Sequence, residues 1–266
     1  MVRRKRGLII GVYSAKGGVG KTTTVSNLGA ALAQKLKNKV IIVETNMTAS
    51  NLGLHLGIVD PPIVVQDVVY GRVRVDDAIV KTDYGLHVLP GSVAFTEELG
   101  PIDLSGLLDT LRKRYDVIIL DSAPGFAHEV LAGLKVCDEI IVCCQPQVPA
   151  IAGTLQTFRV ADRLKLPVFG VVLTRVTRKR YEVPLSDIRR VLGWPTLVEI
   201  PEDDMVPESI TRGVPVVLYA PNAPSAVEYR KLAQMVLNHI RRRKRIAPAR
   251  KGKKTAKRRT RSRRKK

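Results

Sequence analysis

The chain has 266 residues, 45% of them hydrophobic, which suits one large or two small globular domains rather than a disordered protein. Its net charge of +21 sits at the ends: residues 241–266 hold 17 of the 45 Lys and Arg and no acid, Arg3, Arg4, Lys5 and Arg6 add four, and residues 7–240 balance 24 basic against 24 acidic side chains. Three cysteines without disulfide or zinc spacing, a basic N-terminus without a signal-peptide cleavage pattern and no apolar run near ~20 residues exclude a disulfide scaffold and a membrane span, and lead us to expect a cytoplasmic protein.

In chain order, short β-branched runs alternate with helical patterns. Strands are expected at 7–13, 39–44, 86–90, 116–121, 139–145, 168–174 and 196–200. Helices are expected at 21–37, 103–114, 126–135, 149–164, 184–192, 204–212 and 223–241. Several strands are apolar throughout, as strands covered on both faces are. Strand then helix, repeated, implies an α/β fold: a doubly wound, mainly parallel sheet flanked by helices, with ligands bound where the strands end. The expected organisation is a basic N-terminal extension (1–6), one domain (7–240) and a Lys/Arg-rich tail (241–266). That tail has too little apolar surface to offset its ordering entropy and is expected to be disordered.

The segment SAKGGVGKTTT (14–24) separates the first strand from the first helix. It matches the phosphate-loop pattern at Gly20, Lys21 and Thr22, with Ala15 at the first glycine position. Gly17, Gly18 and Gly20 let the backbone around Val19 curl so that its N–H groups face phosphate oxygens, and the helix beginning at Lys21, Thr22 and Thr23 presents its positive end to the same anion. Lys21 is placed to reach the β- and γ-phosphates and the Thr22 hydroxyl to ligate Mg²⁺.

With Lys16 included, the loop reads KGGVGKTT. It resembles the deviant Walker A motif of the MinD/ParA family of P-loop ATPases. ASNLGLHLGI (49–58), YDVIILDSAPG (115–125), VVLTRV (171–176) and EIPEDDMVPESITRGVPVV (199–217) are similar to that family's switch I, switch II and adenine-bracketing segments. The resemblance spans nearly all of 7–240. It implies ATP and Mg²⁺ as ligands and an ATP-dependent homodimer in which Lys16 reaches the partner's nucleotide. It also implies Asp121 holding Mg²⁺ through water, the Gly125 N–H near the γ-phosphate, and Thr174, Pro201 and Glu202 around the adenine. The family's second strand usually ends in D-x-D; here Glu44, Thr45 and Asn46 stand there. Glu44 keeps a carboxylate for the Mg²⁺ water shell. Asn46 replaces the aspartate that orients the attacking water, and an amide cannot take up a proton, a loss that costs ~10²–10⁴ in rate. Slow or partner-stimulated hydrolysis is the expectation.

Other constellations are weaker. Cys143 and Cys144 are adjacent on a strand and point to opposite faces, which suits buried thiols better than a cluster site. The four histidines lack metal-ligand spacing, and Ser122 lacks the context of a hydrolase nucleophile.

After Ile240 the chain has no apolar face to insert into a bilayer. Its Lys/Arg/Ala/Ser/Thr composition is suited to non-specific, salt-sensitive contact with DNA and to a nucleoid-associated location. An anionic membrane bound by charge alone, as for a MinD-like regulator of division-site or motility-structure placement, is the alternative, and a solvating tail without partner is a third reading. An activating partner protein would fit the slow hydrolysis.

Overall fold

The computed structural model describes residues 7–94 and 100–246. Eight strands form one sheet: β1 (Leu8–Tyr13), β2 (Val40–Glu44), β3 (Val80–Lys81), β4 (Leu86–Leu89), β5 (Val117–Asp121), β6 (Glu139–Cys144), β7 (Val168–Val176) and β8 (Thr196–Pro201). Their order is β3-β4-β2-β5-β1-β6-β7-β8, parallel except for β3 against β4. The helices are α1 (Lys21–Ala33), α2 (Val65–Val69), α3 (Ser105–Leu111), α4 (His128–Val136), α5 (Val148–Arg163), α6 (Leu185–Leu192), α7 (Met205–Thr211), α8 (Val216–Tyr219) and α9 (Pro224–Ile246).

The central strands are buried on both faces, which explains their unbroken apolar runs. Leu8, Ile10 and Val12 of β1 pack with α1 and α9 on one side, and Ile9 packs with Leu108 and Leu111 on the other. Cys143 and Cys144 divide in the same way: Cys143 joins the α1/α9 core and Cys144 the α5/α6 core. Strand β1 lies between β5 and β6, so β2 to β5 build the sheet on one side of it and β6 to β8 on the other. The loop after β1 therefore opens into the crevice at the carboxyl edge where such sheets bind ligands.

The sequence reading and the structure differ at the short elements and the ends. Strand β3 has two residues and helix α8 four, too few to carry a period. Helix α2 has five, its first turn held by Asp67, whose carboxylate accepts the Val64 N–H. Helix α1 ends at Ala33 rather than 37, because the chain turns toward β2 through Asn38 in a left-handed conformation (φ 59°). Helix α9 runs six residues beyond the expected boundary at Ile240. Its last turns lie on the sheet, where the His239 Nε2 and Arg243 Nη1 atoms approach Glu139 Oε1 at 2.9 and 3.6 Å. The N-terminal extension 1–6 and tail residues 247–266 lie outside the described residues.

Candidate nucleotide site

The loop after β1 is shaped by glycine. Gly18 (φ 71°) and Gly20 (φ 83°) occupy the left-handed region, where a side chain is strained, and Gly20 caps α1. Two side chains from neighbouring strand ends pin the loop: Gln145 Nε2 donates to Gly18 O (3.0 Å) and the Thr174 hydroxyl to Val19 O (2.7 Å). Val19 is buried beneath. The Lys16 N–H donates to Ser14 Oγ (3.2 Å), while Lys21 Nζ reaches the Lys16 carbonyl at 3.5 Å. Gly17 faces Pro124 of the loop after β5, and Gly125 in that loop is left-handed (φ 80°).

Three ionisable groups meet below the loop. Glu44 and Asp121 end adjacent parallel strands and are partners in register. Burial raises both carboxyls above the ordinary range, and the Asp121 charge raises Glu44 further. The Thr22 hydroxyl and Lys21 pull Asp121 back down. Burial lowers Lys21, against the pull of Asp121. Asp121 Oδ1 is buried with no hydrogen-bond partner among the described residues. Such an orphaned carboxylate oxygen is costly unless a cation completes it, so Thr22 and Asp121 fit a divalent ion.

Glu44 differs from Asp121. Its Oε1 accepts the Asn46 N–H (2.9 Å) and its Oε2 accepts those of Asn51 (3.0 Å) and Leu52 (3.1 Å). The carboxylate thus organises the loop after β2, which also accounts for its burial without a metal. Asn46 is engaged locally as well: Nδ2 donates to Ala49 O (2.8 Å), and Oδ1 accepts the Ala49 N–H (3.2 Å) and the Thr48 hydroxyl (3.4 Å). From the far side, Glu129 in the first turn of α4 accepts the Met47 N–H (3.1 Å) and the Thr48 hydroxyl (3.4 Å). The segments that follow β2 and β5 are therefore tied together.

Above these groups lies a cleft of about 630 Å³. Gly18, Gly20, Lys21, Thr22, Thr23, Thr174, Pro201 and Glu202 all border it, so the phosphate loop and the adenine-bracketing candidates share one cavity. The Thr174 hydroxyl bonds the loop carbonyl of Val19 and also Cys144 O (3.3 Å), so its hydrogen atom is already placed. Glu202 is forked onto Arg175 (2.7 and 2.8 Å), a residue held at φ 53°. Lys16, four residues before Gly20 in the loop, is half-buried. Sequence reasoning missed Gln145, Arg175, Glu129 and Tyr229, and also His55, which lines the cleft and which burial keeps neutral with a pKa pushed down to about 4. His55 and Arg175 lie inside the family-like segments 49–58 and 171–176 but match no ligand-binding residue type there, and Gln145, Glu129 and Tyr229 lie in no motif.

A family model described as an AAA domain matches residues 7–167. The crystal structure of the Pyrococcus furiosus cell division ATPase MinD superposes with a TM-score of 0.83 at 31% identity, covering 88% of this chain and 99% of that one. The septum site-determining protein MinD of Pyrococcus horikoshii, complexed with Mg-ADP, gives 0.82 at 31% identity over 86% and 96%. The chromosome partitioning protein ParA of Caulobacter vibrioides is 30% identical over 254 residues, covering 88% of this chain and 95% of its own. This chain belongs to the MinD/ParA family of P-loop ATPases. At the end of β2, Glu44 and Asn46 are both built into the hydrogen bonds of the loop that follows.

Proposed function

We propose that this protein is an ATP-switched dimer that binds Mg–ATP in the cleft, hydrolyses it slowly or only when a partner protein stimulates it, and holds DNA non-specifically through its basic C-terminal residues. On this reading it works in chromosome partitioning or in the spatial organisation of division, as a cytoplasmic, nucleoid-associated protein. The observation that carries the nucleotide assignment is the orphaned Asp121 Oδ1 beside Thr22 and the buried Lys21, directly under a glycine-shaped anion cradle. The loop N–H groups and the positive end of α1 bind phosphate oxygens, and Lys21 adds a cation on the β/γ side. Thr22 and Asp121 would hold Mg²⁺, which supplies positive charge against the phosphates. Lys16, half-buried in the same loop, would serve a second subunit.

Hydrolysis is where this chain is set apart. Its amide at 46 has no basic oxygen to take a proton from water, and both of its ends bond Ala49. The test is single-turnover hydrolysis in the wild type and Asn46→Asp. The variant should be at least ~10-fold faster, the lower end of what a positioned base contributes being ~10² before losses from the altered turn. Equal rates would remove the assignment of slow turnover to Asn46. For the switch, duplex DNA anisotropy of the full chain should show tighter binding with Mg–ATP than with ADP, because a dimer brings two basic segments to one duplex. Absent DNA binding together with co-sedimentation on anionic liposomes would replace the nucleic-acid partner with a membrane.

A further inference from the structure

The opposite edge of the sheet, where the parallel strands begin, carries a second concave feature. Lys39 comes from the turn before β2, Lys81 from β3, and Lys113 and Arg114 from the turn before β5. Together they border a recess of about 590 Å³. Its floor is a buried pair, His87 Nδ1 against the Tyr115 hydroxyl at 2.7 Å, with the rings edge to face. Asp76 is the acid that lines it, and Arg114 grips both of its oxygens, one at 2.6 Å. Lys39 Nζ donates to the Arg114 carbonyl (3.4 Å), and no ion pair joins Lys39, Lys81 or Lys113 to an acid among the described residues. Three separate chain segments thus bring ammonium groups to one hollow whose one lining acid among the described residues, Asp76, is already gripped by Arg114, so the hollow carries a surplus of positive charge that an anion would offset. Burial, and after it the charge of Lys81, holds His87 below its ordinary pKa.

The same edge receives both ends of the described chain. The Gly7 N–H donates to Arg112 O (3.1 Å), one residue before Lys113. At the other end, Arg243 of α9 lies 3.6 Å from Glu139, the first residue of β6. A small anion would need only the recess. Lys39, Lys81 and Lys113 are instead exposed side chains spread across the width of β3, β4, β2 and β5, which suits a long polyanion with spaced phosphates.

We propose that the base of the sheet, centred on Lys39, Lys81 and Lys113, contacts the phosphodiester backbone of nucleic acid, so that the folded domain shares the contact with the basic C-terminal residues. This rests on nucleic acid being the partner. The test uses the full chain and its triple variant Lys39→Ala/Lys81→Ala/Lys113→Ala, measuring duplex DNA affinity across a salt series. Every phosphate that the protein no longer neutralises should reduce the slope of log K against log salt by about 0.9, so the variant's slope should be roughly two to three units shallower. A charge-matched control, Arg159→Ala/Lys179→Ala/Arg180→Ala, removes three exposed cations from α5 and the carboxyl-edge turn after β7 and should change it by less than about one unit. Unchanged ATP affinity in the triple variant reports that the domain still folds. Equal slopes for wild type and triple variant, or equal reductions in both variants, would overturn the proposal while leaving DNA binding intact. If the wild-type chain binds no duplex at all, the nucleic-acid reading falls and the proposal with it. Inorganic phosphate that shifts the His87 ring resonances while the DNA slope stays unchanged would mark a small-anion recess and also overturn it.

Discussion

At the carboxyl edge of the sheet Lys21, Glu44 and Asp121 are 7%, 0% and 2% exposed, and the charges are few and closely held. At the opposite edge Lys39, Lys81 and Lys113 stand in solvent, borne on turns and on a two-residue edge strand. A buried charge interacts through a poorly screening medium and depends on individual partners; an exposed one is screened by salt and contributes as one of many. One edge should therefore fail abruptly on single substitutions, and the other should weaken by increments.

The largest expected effect tests this directly. Lys21→Ala removes the buried cation that faces the phosphates, and loss of one partner from such a pair costs about 3–5 kcal/mol. Affinity for a fluorescent ATP analogue should fall by at least ~10². Lys113→Ala alone should lower DNA affinity only a few-fold. Comparable losses from both substitutions would break the distinction between the two edges.

A smaller effect concerns how the carboxyl edge is roofed. Gly57 and Gly213, both left-handed, meet backbone to backbone where the segment after β2 touches the end of α7. A Cβ at residue 213 would lie 2.5 Å from Gly57 Cα and 2.7 Å from its nitrogen. Gly213→Ala therefore combines a steric clash with an unfavourable φ and should cost about 2–3 kcal/mol. Thermal unfolding measures it. Because residues on both sides of this contact line the cleft, ATP affinity should fall with stability. Asp203 offers a milder version. Its carboxylate accepts the Met205 N–H and both the N–H and hydroxyl of Ser225, bridging the starts of α7 and α9. Asp203→Ala should cost ~1–2 kcal/mol in denaturant unfolding, as the loss of a helix cap does.

The same distinction governs what was legible in the sequence. The phosphate loop could be read because its conformation demands glycine at fixed spacings, and the central strands because burial on both faces demands unbroken apolar runs. Asp121 stands out as a carboxylate ending such a run. The sequence suggests a metal-shell role for Glu44, yet its oxygens hold three backbone N–H groups of its own loop. That role leaves no mark in composition, because the donors are main-chain atoms of Asn46, Asn51 and Leu52. The basic recess is hidden for a different reason. Lys39, Lys81 and Lys113 are far apart in the chain and interspersed with acids such as Asp76 and Asp116, so residues 7–240 read as neutral. Only the sheet order brings β3, β4, β2 and β5 together and sets those lysines around one hollow.

The smallest expected effect concerns Glu129, which holds the loop after β2 from the side of α4. Burial raises its carboxyl above the ordinary value near ~4.3, against the Met47 N–H and Thr48 hydroxyl that pull it down. A carboxyl raised in the folded state contributes stability that is fully present below its unfolded value and is lost as pH rises through its folded value. Glu129→Gln keeps an oxygen to accept the Met47 N–H but cannot ionise. Wild type and variant should thus melt alike near pH 4, and above it the variant should gain about 1–2 °C on the wild type. Glu44 and Asp121 titrate in the same direction in both proteins, so they cancel in the difference. A gap between the two melting curves that does not change with pH would mean that Glu129 acts through its hydrogen bonds alone. Its carboxylate would then belong with that of Asp203, which is held by its donors, and not with the charge-sensitive groups beneath the phosphate loop.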